Sequence, residues 1–143
     1  MTSKKVRTIV LAALMAALTT VATMIIRIPT PTQGYIHLGD GMVLMCGVLL
    51  GPGVGALAAG IGSMMADLIG GYMAWVPGTF AIKALTALVG GWLYHRMAGK
   101  SLNTVARVVV CGIPAEIIMV LGYFLYETGM EVLMGSSVGA AAV

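Results

Sequence analysis

The stretch MVLMCGVLLGPGVGALAAGIGSMMADLI, residues 42–69, decides how this chain is arranged. It is apolar almost throughout, which suits a bilayer, yet Gly51-Pro52-Gly53 sits near its middle. Proline lacks the backbone donor a helix needs and glycine favours turns. One kinked helix would cross the membrane once; two helices around a tight turn would cross twice. The basic residues choose between these. Lys4, Lys5 and Arg7 precede the first apolar run, Ile9–Ile26, and Arg96, Lys100 and Arg107 follow a later run, Thr79–Tyr94. Basic residues collect on the cytoplasmic side of membrane spans. Both clusters fall on that side only if Gly51–Gly53 is a turn between two helices. The piece before the turn is short, so it must borrow Tyr35–Gly41 to cross.

Composition sets the class. Hydrophobic residues are 59% of the 143 and charged residues 9%, and mean hydropathy is +1.01, against about 25% charged in soluble domains. The apolar runs are continuous rather than alternating, which argues for helices and against a membrane β-barrel. At about 20 residues per span the chain holds five to six crossings, so the expected fold is all-α: one polytopic membrane bundle over residues 1–143. Arg27–Gly34, with two prolines and a glycine, reads as a loop, as does Gly70–Gly78, closed by Pro77 at a helix start. Val105–Tyr126 is a further span. Glu127-Thr128-Gly129 then interrupts, and the last apolar piece reads as a truncated sixth helix. A signal peptide also begins with basic residues, but the first run exceeds an h-region of about 7–15 residues and lacks a small-x-small site before Arg27. Cys46 and Cys111, both in apolar segments, read as inert buried thiols.

In so apolar a chain the polar residues are informative. A charge at membrane depth costs on the order of 3 kcal/mol or more unless it is paired or faces a wet cavity. Under the topology above, His37, Asp40, Asp67, Tyr72 and Trp75 gather at the outer side. Lys83 lies about 9 Å into the fourth span at 1.5 Å per residue. Glu116 falls near mid-membrane; Tyr123, seven residues on, and Glu127 share its helix face. Apolar walls with a few convergent polar groups are the usual form of a small-molecule site. Each residue also has a plainer reading: the aromatics as an interfacial belt, Asp67 with Lys83 as a structural ion pair, His37 as a surface side chain. Glu116 has no cation in its own span to neutralise it.

Ala12, Ala13, Ala16 and Ala17 form overlapping A-x-x-x-A pairs in the first span, and Gly55, Ala59 and Gly62 form a similar ladder in the third. Small residues four apart let a second helix approach closely, whether that helix is in this chain or in another subunit.

The motifs GYIHLGDG (34–41), LGPGVGAL (50–57), ADLIGGY (66–72), PGTFAIK (77–83) and LGYFLYE (121–127), in this order, resemble the substrate-binding S components of energy-coupling factor (ECF) vitamin importers, most closely the riboflavin-type branch. The resemblance implies six helices with cytoplasmic termini in the cell membrane of a prokaryote. It implies a pocket open to the outside for riboflavin, a pyridoxine-like ring or a hydroxymethylpyrimidine-like precursor, with His37, Asp40, Asp67, Tyr72, Trp75, Lys83, Glu116 and Tyr123 as candidate contacts. It also implies docking through Ala12, Ala13, Ala16 and Ala17 onto a transmembrane T component that carries two ATPases, and toppling of the S component in the lipid to release its cargo inward. The chain departs from the family pattern after Gly135, where a complete sixth helix is expected.

Enzyme readings find no support. Gly99-Lys100-Ser101 mimics the end of a P-loop, but position 94 is Tyr rather than Gly and no strand precedes it. There is no H-E-x-x-H, no G-x-S-x-G and no cysteine pair at metal-ligand spacing. No cofactor and no metal are expected, nor is nucleic-acid binding, since the few basic residues flank spans. A stand-alone carrier, with Asp67, Lys83 and Glu116 relaying protons or ions, is the alternative from a different class.

Overall fold

The computed structural model describes residues 3–25, 27–29 and 35–133. It contains α1 (Ser3–Ile25), a two-stranded ribbon of β1 (Arg27–Pro29) and β2 (Tyr35–His37), then α2 (Gly39–Leu50), α3 (Pro52–Gly70), α4 (Val76–Arg96) and α5 (Thr104–Leu133). The fold is an all-α membrane bundle. Four helices, α1, α3, α4 and α5, are long and apolar enough to cross a bilayer. The two middle helices of the bundle are α3 and α4, which pack on each other, with α1 and α2 against α3 and α5 mainly against α4.

The turn expected in residues 42–69 is present. Gly51 alone separates α2 from α3, with φ 83°, a conformation that favours glycine. Pro52 opens α3, where its missing N–H costs nothing, and the Gly55 amide bonds back to the Gly51 carbonyl at 2.9 Å. α5 is capped by Asn103, whose Oδ1 accepts from the Ala106 amide at 2.7 Å.

Three expectations are corrected. The second helix borrows only Gly39–Gly41 of Tyr35–Gly41, because Tyr35–His37 pairs antiparallel with Arg27–Pro29, so Arg27 lies opposite His37. An extended segment that finds a partner strand satisfies its backbone without becoming helix. For the same reason Arg27–Pro29 is strand rather than loop. Nor does Glu127-Thr128-Gly129 end the fifth helix, which runs on to Leu133. One glycine costs a helix only about 1 kcal/mol, and Thr128 Oγ1 bonds back to the Phe124 carbonyl within the same helix. The expected sixth segment begins after Gly129; its residues 130–133 continue α5, and residues 134–143 lie outside the described residues.

Packing rests on small residues. A Cβ added at Gly62 would come within 2.5 Å of the Ala16 carbonyl oxygen, so the ladders of α1 and α3 meet each other inside this chain. Thr20 ties the same crossing by donating to the Gly62 carbonyl at 2.8 Å. Gly47 and Gly91 bring α2 and α4 into backbone contact, with the Gly47 carbonyl oxygen 2.5 Å from where a Gly91 Cβ would stand. Around them Met15, Val43, Cys46, Ala58, Ala59 and Ala87 form the buried core. Thr19 and Thr23, also buried, donate to carbonyls four residues back, which satisfies these two hydroxyls within α1.

Candidate functional site

The polar residues converge at the end of the bundle that carries the ribbon. Asp40 lies in the first turn of α2 and Lys83 in the second turn of α4. Lys83 is 2% exposed, and its ammonium donates to Asp40 Oδ1 and to the Met119 thioether at 2.9 Å. The same nitrogen stands 5.2 Å from the centre of the Tyr123 ring, within cation–π range. His37 Nε2 lies 3.6 Å from Asp40 Oδ1, beyond hydrogen-bond length but close enough to interact by charge when the imidazole is protonated. A buried ammonium is tolerated because an anion and a π-face surround it. One of its acceptors, a thioether, is weak, so a stronger acceptor brought by a ligand would improve its surroundings.

Above Lys83 the aromatics form a cover. Tyr123 Oη donates to Thr79 Oγ1 at 3.3 Å. Trp75, in the connection between α3 and α4, lies tilted against Tyr123 at 6.3 Å and Tyr126 at 5.7 Å between ring centroids. Tyr126 Oη donates to the Ala74 carbonyl at 2.6 Å, fastening that connection to α5.

Of the residues singled out in the sequence, Asp40, Lys83, Tyr123, Trp75 and His37 are brought together. Glu116 is half-buried, within electrostatic range of both Asp40 and Lys83, so the cation that acts on it comes from α4. Asp67 is buried and near enough to Tyr123 to act on it electrostatically. Lys83 forms its ion pair with Asp40; the plainer reading of Asp67 with Lys83 as a structural pair is one alternative beside substrate contact. Tyr72 is 42% exposed and lies at the rim. Ala12 and Ala16 pack on the core beside α3, whereas Ala13 and Ala17 are exposed. A shallow groove of about 340 Å³ runs beside them, lined by Ala17, Val21, Ile61 and Met65 among others; it differs in character from the polar cluster, being mainly apolar and open at the surface.

Met119 and Thr79 were missed, although helical arithmetic reaches both. Met119 is three residues after Glu116 and four before Tyr123, and Thr79 is four before Lys83, so each shares a face with a residue already suspected. Among the described residues no three His, Cys, Asp or Glu side chains gather as a metal site.

Residues 3–143 match the family model described as ECF-type riboflavin transporter, S component. The chain belongs to this family. Its members are transport subunits rather than enzymes, and this S component is accordingly a multi-pass membrane protein of vitamin uptake. A protein of Pyrococcus woesei, described as an uncharacterized protein in gap 3'region, is 41% identical over 105 residues, which is 73% of this chain and 67% of that one. No solved structure matches the S component.

Proposed function

We propose that this S component captures riboflavin, or a flat vitamin heterocycle close to it, at the ribbon end of the bundle, and that this end faces outward. The observation that carries the reading is the Lys83 ammonium, held beneath Trp75 and Tyr123 by Asp40 and a replaceable thioether. A heterocycle carbonyl would take the place of the thioether, and the rings of Trp75 and Tyr123 would stack on the ligand plane. His37, Asp67 and Glu116 would complete the polar contacts, with Tyr72 at the entrance. The family supports riboflavin as the first ligand to test.

Delivery inward belongs to partners, a T component and two ATPases, in the cell membrane of a prokaryote. The basic residues around α1 and between α4 and α5 support a cytoplasmic N-terminus. Ala13 and Ala17, exposed on α1, are the better half of the docking face, since Ala12 and Ala16 already serve the α3 contact. The close α2–α4 crossing at Gly47 and Gly91 supports movement of the whole subunit rather than an inner gate. The test is a riboflavin fluorescence titration of the purified chain in nanodiscs. Saturable quenching that is lost in Lys83→Met is expected. Absence of quenching by riboflavin, with retention of a different vitamin on purification, would overturn the ligand while leaving the site.

A further inference from the structure

All five carboxylates of the chain, Asp40, Asp67, Glu116, Glu127 and Glu131, lie in the first turn of α2, the last turns of α3, or the C-terminal two-thirds of α5. The connection between α4 and α5 carries Arg96, Lys100 and Arg107 with no acid beside them. Thirteen residues of α4 separate Arg96 from Lys83, about 20 Å along the axis, so this basic end is far from the vitamin site.

The two arginines are positioned. The Arg96 guanidinium lies 5.3 Å from the centre of the Trp92 ring and that of Arg107 5.2 Å from the Tyr94 ring. His95 meets Tyr94 edge-on, 5.6 Å between centroids. Stacking on a ring holds a guanidinium in place while leaving its in-plane N–H groups available. Arg107 Nε is buried and has no hydrogen-bond partner among the described residues. None of Arg96, Lys100 and Arg107 forms a salt bridge among the described residues. Exposed apolar residues lie on the same two helix ends: Trp92 is 49% exposed, Val105 73% and Val109 54%.

We propose that the α4–α5 connection is a binding site for the phosphate headgroup of an anionic membrane lipid. Arg96 and Arg107 supply planar forks that match phosphate oxygens, and Lys100 supplies a mobile charge. The apolar faces beside them carry the acyl chains. Basic clusters at the ends of membrane helices recognise lipids in this way. The neighbouring apolar surface favours a lipid over a soluble anion, which would use the charges alone. Lys4, Lys5 and Arg7 at the start of α1 have exposed side chains and serve as the internal comparison: basic residues that attract anionic lipid without a built site.

The test titrates the full chain in detergent with short-chain phosphatidylglycerol, phosphatidylcholine or glycerol phosphate, following binding by native mass spectrometry. Phosphatidylglycerol is expected to bind at least tenfold more tightly than phosphatidylcholine, and glycerol phosphate only in large excess. Arg107→Gln and, separately, Arg96→Gln should each remove most of that preference, while K4Q/K5Q keeps it and all variants keep riboflavin binding. Equal affinity for the two lipids, or equal loss in K4Q/K5Q, would overturn the site. Glycerol phosphate binding as tightly as the lipid would overturn the lipid as its occupant.

Discussion

Lys83 and Asp40 face each other from α4 and α2 across 43 positions of sequence, the lysine side chain 2% exposed and the carboxylate 25%. Breaking one side of a buried pair costs about 3–5 kcal/mol, and water at Asp40 puts this pair near the lower figure. Lys83→Met should therefore lower thermal stability by about 3 kcal/mol as well as abolish riboflavin binding. Adding Asp40→Asn to Lys83→Met should recover more than half of the stability and none of the binding. Calorimetry and fluorescence titration separate the two; a double variant no more stable than the single one would refute the coupling.

The fastening of Trp75 sets how fast a ligand leaves. Tyr126→Phe deletes the hydrogen bond to the Ala74 carbonyl, a contribution of about 1 kcal/mol. Riboflavin should then dissociate roughly fivefold faster in stopped-flow measurements, with the association rate little changed. An unchanged dissociation rate would show that the α3–α4 connection does not cover the site.

The docking face is tested by two substitutions one residue apart. Ala17→Leu enlarges an exposed position and should block recovery of the T component and ATPases in pull-downs while preserving riboflavin binding. Ala16→Leu instead forces α1 off Gly62, so it should reduce folded yield before assembly is reached. If Ala16→Leu folds normally and only assembly fails, the face has been divided wrongly.

At Gly47 an added methyl would collide with the Ala87 carbonyl oxygen, a backbone atom that cannot turn aside. Gly47→Ala should sharply reduce the monodisperse peak in fluorescence-detected size exclusion. Gly53→Ala, where nothing lies within 4 Å, should match the parent protein.

Much of this architecture is legible in the sequence because it depends on chain-local chemistry. Gly51 and Pro52 stop one helix and start the next whatever surrounds them, and the continuous apolar runs leave little but helix. Partner choice is less local. Asp40 is recognisable in the sequence as an outer polar group, but its pairing with Lys83 is made where α2 and α4 meet in space, 43 positions apart in the chain. The ribbon was unreadable since three-residue strands leave no periodicity, only a pairing made in space. Glu127–Gly129 looked like a break because glycine propensity is a weak preference that an otherwise favourable helix overrides. Met119 was hidden by its abundance: one of twelve methionines, it acquires meaning only from the ammonium beside it.

The brevity of α2 has a consequence for the lipid around it. Its 12 residues rise about 18 Å, while the hydrocarbon layer is about 30 Å thick. By itself α2 is too short to cross that layer, and the second strand of the ribbon ends at His37, just before α2 begins at Gly39. Strand backbone at membrane depth persists only where protein or water encloses it. With the ribbon end facing outward as proposed, that enclosure would be a hydrated recess over α2, through which a solute would reach Lys83 without dissolving among the acyl chains.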